Sequence, residues 1–318
     1  VRVATRAIGV NFADCIVRMG LYASAKEYVG WPITPGFDFA GLVDALGDGA
    51  EGFAVGDPVF GVTRFGAYST HVVVPTAQLL PRPPSLSEVD AGAFPTISVT
   101  AWYALHRLGA VTEGDTVLVH SAAGGVGGAL VQLARRAGAR VVGVVGGAHK
   151  IPTAVQHGCD HVIDRSAGDL WAQAREHAPG GYQIVLDANG VATLADSYRH
   201  LAPQGRLVVY GFHTMFGRGG SGMPNPLRLA WGWLRTPRFS PLDMTSANKA
   251  VMGFNLSFLF DRTDLLHVAM NDLLAALADG SLVPPPVQTF SLGDVASAHR
   301  TLESGRTVGK LVLIPERS

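Results

Sequence analysis

The chain has 318 residues, 47% hydrophobic and 16% charged, and its 25 basic and 25 acidic side chains cancel. That length is enough for two domains with sizeable cores, and the neutral balance supplies no basic surface for nucleic acid. The two cysteines, Cys15 and Cys159, are too few for a disulfide framework or a four-cysteine zinc site, and they suit a reducing cytoplasm.

No apolar run reaches the length of a membrane span and no signal-peptide pattern is visible, so a cytoplasmic location is expected. Val1 opens a stretch, VRVATRAIGV, that reads as a strand already in mid-domain, so an N-terminal segment is expected to precede it. Through about residue 90 short β-runs alternate with Gly/Pro turns: VRVATRAIGV, FAGLVDALG, DPVFGV and YSTHVVVP. Such punctuation suits an antiparallel or barrel-like domain.

PRPPSLS (residues 81–87) reads as a linker, after which strand and helix alternate. DTVLVH is a buried strand, followed by a helix over about 125–137, the strand RVVGVV and a helix near 151–157. HVID, YQIVLD and GRLVVYG are further strands, with helices DLWAQAREH and VATLADSYRHL between them. NKAVMGFN (residues 248–255) adds a sixth strand. This βαβα order predicts an α/β fold with a doubly wound parallel sheet. The tail, from PPVQTFSL to VGKLVLIP, reads as strand, helix, strand and is placed to rejoin the first domain.

The loop Ala122-Ala123-Gly124-Gly125-Val126-Gly127 is A-x-G-x-x-G, a dinucleotide fingerprint with its first glycine replaced by alanine. It follows a strand and opens a helix, the context the motif needs. Gly124 would let backbone approach a pyrophosphate, Gly127 would let helix pack on sheet, and N–H groups at the helix start would face the phosphates. After the second strand, where an acid usually holds the adenosine ribose, the chain reads Val144-Val145-Gly146-Gly147-Ala148-His149-Lys150. Small residues at Gly146 and Gly147 with cations at Lys150 and Arg165 admit a 2′-phosphate, which favours NADPH over NADH. Either cation could instead be a solvated surface charge.

GVNFADCIVRMGLY (residues 9–22), TPGFDFAGLV (34–43), GDPVFG (56–61), VLVHSAAGGVG (117–127) and VGKLVLIP (308–315) together resemble the zinc-free quinone oxidoreductase branch of the medium-chain dehydrogenase/reductase superfamily. NPLRLAWGWLRTPRF with NKAVMGFNLSFLF is most similar to its VAT-1-like subgroup. The resemblance covers essentially the whole chain. It implies a GroES-like substrate domain over residues 1–93, a Rossmann cofactor domain over 94–257, and a return segment over 258–318 completing the substrate domain. It also implies a homodimer and an N-terminal strand or hairpin ahead of Val1.

Zinc-containing relatives carry a cysteine where this chain has Asn11 and a His–Glu pair where it has Phe37-Asp38, so no metal is expected. Without a Lewis acid, the acceptors expected are apolar small molecules, a quinone or the C=C of an α,β-unsaturated carbonyl. Asn11 is either an amide donor to the developing oxygen or a loop-organising amide, and Asp14 orders its loop. Tyr22 resembles the acid of related enoyl reductases; it is either that acid or an apolar gate. The resemblance further places Thr100, at the start of the domain-crossing helix, near the nicotinamide. It places Asn189 within DANG, and Tyr210, Gly211 and Phe212, along the cofactor. Asn255 and Leu256 would touch the nicotinamide side, and Lys310 either reaches back to the cofactor or is a surface cation. The insert over residues 212–248 is a lid, a dimer contact or a membrane-surface helix; the neutral net charge makes the last the weakest, and a lid or wall around an apolar substrate is favoured. The rival to an enzyme is a catalytically weak nucleotide-binding scaffold or regulatory protein.

Overall fold

A computed structural model describes residues 1–215 and 225–316. Two sheets organise them. The first contains β1 (Arg2–Val10), β2 (Asp38–Ala45), β3 (Pro58–Val62), β4 (His71–Val73) and β5 (Leu79–Pro81), together with β12 (Val287–Ser291) and β13 (Lys310–Ile314) from the far end of the chain. Their order is β12-β13-β1-β2-β3-β5, with β4 also paired to β1. All pairings are antiparallel except β12 with β13. The tail thus rejoins the first sheet, as its strand–helix–strand pattern leads one to expect.

The second sheet is wholly parallel, in the order β11-β10-β9-β6-β7-β8. Its strands are β6 (Thr116–His120), β7 (Arg140–Val145), β8 (His161–Asp164), β9 (Tyr182–Asp187), β10 (Leu201–Val209) and β11 (Ala250–Gly253). Renumbered from β6, this is the doubly wound order 3-2-1-4-5-6, which reverses between β6 and β9 and opens a crevice beyond their carboxyl ends. The central strands read as continuous apolar runs because helices cover both faces.

The helices are α1 (Phe12–Arg18), α2 (Ala23–Tyr28), α3 (Glu88–Ala93), α4 (Pro95–Trp102), α5 (Gly125–Arg136), α6 (Ile151–Gln156), α7 (Leu170–His177), α8 (Leu194–Arg199), α9 (Pro226–Arg235), α10 (Pro241–Ala247), α11 (Thr263–Ala278) and α12 (Val295–Glu303). Helix α3 seats directly on β1: a Cβ on Gly9 would lie 2.4 Å from the Gly92 carbonyl oxygen, and one on Gly92 would lie 2.8 Å from the Ala7 Cβ. Helix α4 packs against both α5 and α11, the latter tied on by Trp102 Nε1 donating to Asp272 Oδ2 at 2.7 Å.

Two elements depart from the expected β-rich start, and a third, α11, fills a stretch ahead of the tail for which the sequence analysis names no element. Helices α1 and α2 interrupt the first ninety residues; at seven and six residues they are too short to show a helical period. Helix α11 does carry one, since Leu266, Ala269, Met270, Leu273 and Ala276 are its buried face. The linker-like break ends at Ser87, whose hydroxyl caps α3 by accepting from the Asp90 N–H.

Candidate functional site

The glycine loop lies where the crevice rule puts it, between β6 and α5. Ser121 turns the chain with φ of 59°, and Gly124 then donates its N–H to the Ser121 carbonyl at 2.9 Å. Gly127 cannot be replaced in place, because a Cβ there would lie 2.1 Å from the Ser121 oxygen. Gly124 is the N-cap of α5 and offers no side chain, so the opening N–H groups, those of Gly125 and Val126 among them, remain available to an anion. These features fit a dinucleotide pyrophosphate. Over the loop runs the segment preceding β13: Gly309 bridges Gly124, and its N–H donates to the Ala123 carbonyl at 3.0 Å.

At the end of β7, Gly146 faces Arg165; a Cβ on Gly146 would lie 3.7 Å from both Nε and Nη2 of the guanidinium. Lys150 lies one turn further on, with its ammonium donating to the Gly305 carbonyl at 2.7 Å. His149 Nε2 sits 3.2 Å from the Arg306 carbonyl oxygen. Arg165 and Lys150 thus both stand at the corner expected to receive a 2′-phosphate, and Lys150 is also a strut to the segment before β13.

The ends of β9 and β10 form the opposite wall. Asp187 is fully buried and accepts from the N–H groups of Asn189 (2.7 Å) and Gly190 (3.1 Å) and from the hydroxyls of Thr193 (2.7 Å) and Ser197 (2.8 Å). Four donors on one carboxylate fix the loop carrying Asn189, whose Oδ1 accepts weakly from Ser121 Oγ at 3.4 Å. Tyr210 donates its N–H to the Asp187 carbonyl at 3.0 Å, and burial raises its phenol above the ordinary value. Gly211 follows, and Phe212, 39% exposed, lies against Gly190. His213 stacks edge-on to Phe12 with ring centroids 4.5 Å apart, which brings this strand end to the residue after Asn11. Burial depresses the His213 imidazole to about 4.

Asn11 follows the last residue of β1 and is the N-cap of α1. It lies with Lys310, at the start of β13, and Asp38, at the start of β2, at one end of the first sheet. The Lys310 ammonium donates to Asn11 Oδ1 at 2.5 Å and to Asp38 Oδ2 at 3.2 Å, and Asn11 Nδ2 donates to Asp38 Oδ2 at 2.8 Å. The other carboxylate oxygen of Asp38 accepts from the Thr96 N–H at 2.7 Å, at the start of α4. All three side chains are buried. Lys310 is therefore no surface cation. Asp14 accepts the Asn11 N–H (2.7 Å), the Tyr68 hydroxyl (3.0 Å) and the Gly36 N–H (3.1 Å), and so orders the Asn11 loop. Burial lifts its carboxyl to about 7 against those donors. Tyr68 also meets His299 Nε2 at 3.1 Å, and Arg18 meets His299 Nδ1 at 3.1 Å. Because a guanidinium only donates, Nδ1 must accept, which places the imidazole proton on Nε2.

Tyr22 precedes α2. Its hydroxyl donates to Asn255 Oδ1 at 2.8 Å, an oxygen that also accepts from the N–H (3.1 Å) and hydroxyl (2.8 Å) of Ser257. Around its ring stand Phe37 and Phe65, at centroid distances of 6.0 and 6.2 Å, with Phe260 beyond Phe37. Burial raises the Tyr22 phenol, so it stays protonated at neutral pH. Leu256, beside Asn255, is buried and lines an apolar pocket with Phe60, Val62 and Phe260. Thr100 is buried but is not at the helix start: it is the sixth residue of α4, and Thr96 occupies the first turn. The helix begins at Pro95, whose fixed φ suits a first turn.

Sequence reasoning missed the Asp38–Lys310 pair, the Phe12–His213 contact and the Tyr68–His299 link. The members of each are 272, about 200 and 231 residues apart, so only the tertiary fold joins them.

A wholly parallel sheet in doubly wound order, together with a mostly antiparallel sheet that carries Asp38 and Lys310, has the architecture of a dehydrogenase. The comparisons make the class specific. A family profile described as an alcohol dehydrogenase GroES-like domain matches residues 1–84, and one described as zinc-binding dehydrogenase matches residues 157–313. The human synaptic vesicle membrane protein VAT-1 homolog is 33% identical over 310 residues, covering 98% of this chain and 77% of that protein. A 2-haloacrylate reductase from Burkholderia sp is 33% identical over 330 residues, covering 99% and 91%. Among solved structures, Escherichia coli quinone oxidoreductase complexed with NADPH superposes with a TM-score of 0.84 at 28% identity, over 99% of this chain and 91% of that one. The chain belongs to the quinone oxidoreductase branch of the medium-chain dehydrogenase/reductase superfamily, close to the VAT-1 homologues, and is an oxidoreductase.

One of those profiles names zinc, and the residues here do not suit it. Phe37 has no donor atom, and the Lys310 ammonium already sits between Asn11 and Asp38, where a second cation would be repelled. Among the described residues no group of three or more His, Cys, Asp or Glu side chains is placed to hold a metal ion.

Proposed function

We propose that this chain is a zinc-independent, NADPH-dependent reductase of quinones or of the C=C bond of α,β-unsaturated carbonyls. The observation that carries the reading is the Gly124–Gly309 bridge, which sets the glycine loop beside the Asn11–Lys310–Asp38 cluster. Bound NADPH supplies the hydride. The start of α5 binds the pyrophosphate, and Arg165 beside Gly146 receives the 2′-phosphate. Ala123, Gly125, Val126, Asn189, Gly211 and Phe212 line the cofactor, and Thr100 and Leu256 pack at its nicotinamide end.

Asn11 has one amide N–H committed to Asp38 and a second to offer an acceptor oxygen as charge develops there. Lys310 fixes the amide's orientation by holding its oxygen. Tyr22 exchanges its bond to Asn255 for one to the substrate oxygen and delivers a proton. The aromatic side chains around it exclude water and favour an apolar substrate. Residues 1–93 and 258–318 act as the substrate unit around a cofactor unit of 94–257, and a homodimer is the working assembly.

The test is NADPH oxidation measured with benzoquinones, naphthoquinones and enones as acceptors. Saturable turnover with at least one of these classes is expected. NADPH binding without turnover of any of them overturns the reading in favour of a nucleotide-binding scaffold.

A further inference from the structure

We propose that Ser257, backed by Ser24, is a positioning residue that steadies the Tyr22 oxygen once its proton has passed to the substrate. The role rests on Tyr22 being the proton donor, and it extends that chemistry to two serines that carry no motif. Ser24 lies in α2 and Ser257 in the short turn after β11, 233 residues away in the chain. Their hydroxyl oxygens meet at 2.7 Å, and both side chains are buried. Burying hydroxyls beside aromatic rings is costly unless each is bonded. Here each is, and the bonds lead to Asn255 Oδ1, the atom that Tyr22 also uses.

The proton directions follow from the donors. The Ser257 N–H can only donate, so the Asn255 atom it meets at 3.1 Å is the amide oxygen. The Ser257 hydroxyl therefore donates to that oxygen at 2.8 Å, and the Ser24 hydroxyl donates to Ser257. With Tyr22 also at 2.8 Å, three donors crowd a carbonyl that has two lone pairs. One donor is surplus. Burial pushes the Tyr22 phenol up, and the Ser257 hydroxyl, within hydrogen-bonding reach of it, is the foremost group acting against that push. Arg64 holds Ser257 in place: its Nε donates to the Ser257 carbonyl at 3.2 Å, and its Nη2 pairs with Asp261 at 2.7 Å.

As hydride reaches the acceptor, the Tyr22 O–H bond breaks and its proton goes to the substrate oxygen. The phenolate left behind is costly in its aromatic surround. Rotation of the Ser257 hydroxyl about its Cβ–Oγ bond turns its donation from Asn255 to that phenolate, with no heavy atom displaced. The Ser257 N–H still holds the Asn255 oxygen, and Ser24, donating to Ser257 Oγ, makes it a stronger donor. Water returns the proton to Tyr22 once the product has left.

Two measurements on the full chain test this: turnover of an enone, and 19F titration of 3-fluorotyrosine, with residue 22 assigned by its absence in Tyr22→Phe. Ser257→Ala should lower kcat about tenfold and leave NADPH binding within about twofold. Ser24→Ala, which keeps every bond to Asn255, should lower kcat about threefold and repeats the test if Ser257→Ala does not fold. In the Tyr22→Phe background neither substitution should cost anything further, because no phenolate forms there. The fluorotyrosine midpoint at position 22 should rise by about one pH unit in Ser257→Ala. Losses that multiply in the double variants, or a midpoint that neither substitution moves, overturn the proposal and leave the serines as a fastening between α2 and the turn after β11. Unchanged turnover in Tyr22→Phe overturns it as well. If no quinone or enone is reduced, the reductase reading falls by itself, and the fluorotyrosine midpoint still decides whether Ser257 steadies the Tyr22 oxygen.

Discussion

At the level of single residues, what could be read directly were types in motif positions; what could not be read were their partners. Asn11 stands where a metal ligand would, and its neighbour in the chain gives no hint of the Lys310 ammonium on its oxygen. Tyr22 as proton donor has a direct test. Tyr22→Phe should lower kcat for an enone about a hundredfold while leaving NADPH binding within about twofold; unchanged turnover would make it a gate instead. Arg165→Ala and Lys150→Ala should each weaken NADPH binding about tenfold with NADH unaffected. Fluorescence titration with both nucleotides decides, and equal losses for NADH and NADPH would remove the 2′-phosphate assignment.

Among elements, the parallel strands and α5 were legible because each carries its own signal. Buried parallel strands are apolar runs, and α5 begins on a glycine motif and ends within a residue of the expected boundary. Helices α1 and α2 were not, because six or seven residues span too few turns to impose a period. Helix α1 is held instead by Asp14 accepting the Asn11 N–H, a local bond that a scan for apolar periodicity does not see. The β6–α5 turn gives the sharpest prediction at this scale. Gly127→Ala places a Cβ 2.1 Å from the Ser121 oxygen, so the helix must withdraw from the strand. We expect a stability loss of about 1–3 kcal/mol by urea unfolding, together with loss of measurable NADPH binding. Wild-type affinity in that variant would show that the loop does not hold the pyrophosphate.

Over the whole molecule, the buried histidines set the acid limit. His213 and His299 are depressed by burial to about 4 from an ordinary value of 6.5. A depressed imidazole favours the folded state above pH 6.5, and that contribution is lost as pH falls toward 4. Asp14, raised to about 7 by burial, works in the opposite sense over nearly the same window, but it is one group against two. Burial also depresses His106, His120, His157 and His177. The unfolded chain therefore binds more protons, and the unfolding free energy from urea titration should fall from pH 7 to pH 5, by about 1.4 kcal/mol per pH unit for each net proton, with the midpoint falling alongside. His299→Gln should flatten that slope. A midpoint that rises on acidification would contradict the assignment.

The alternation of strand and helix, the cofactor loop and the small, cation-bearing corner after β7 were determined by the sequence alone, because each arises from residues close together in the chain whose backbone needs are local. Tertiary structure alone decided that Lys310 is buried against Asn11 and Asp38, that Tyr22 is bonded to Asn255, and that the apolar face of α9 looks outward. Those outcomes depend on which strands pair and which surfaces remain uncovered. Neither is encoded at short range.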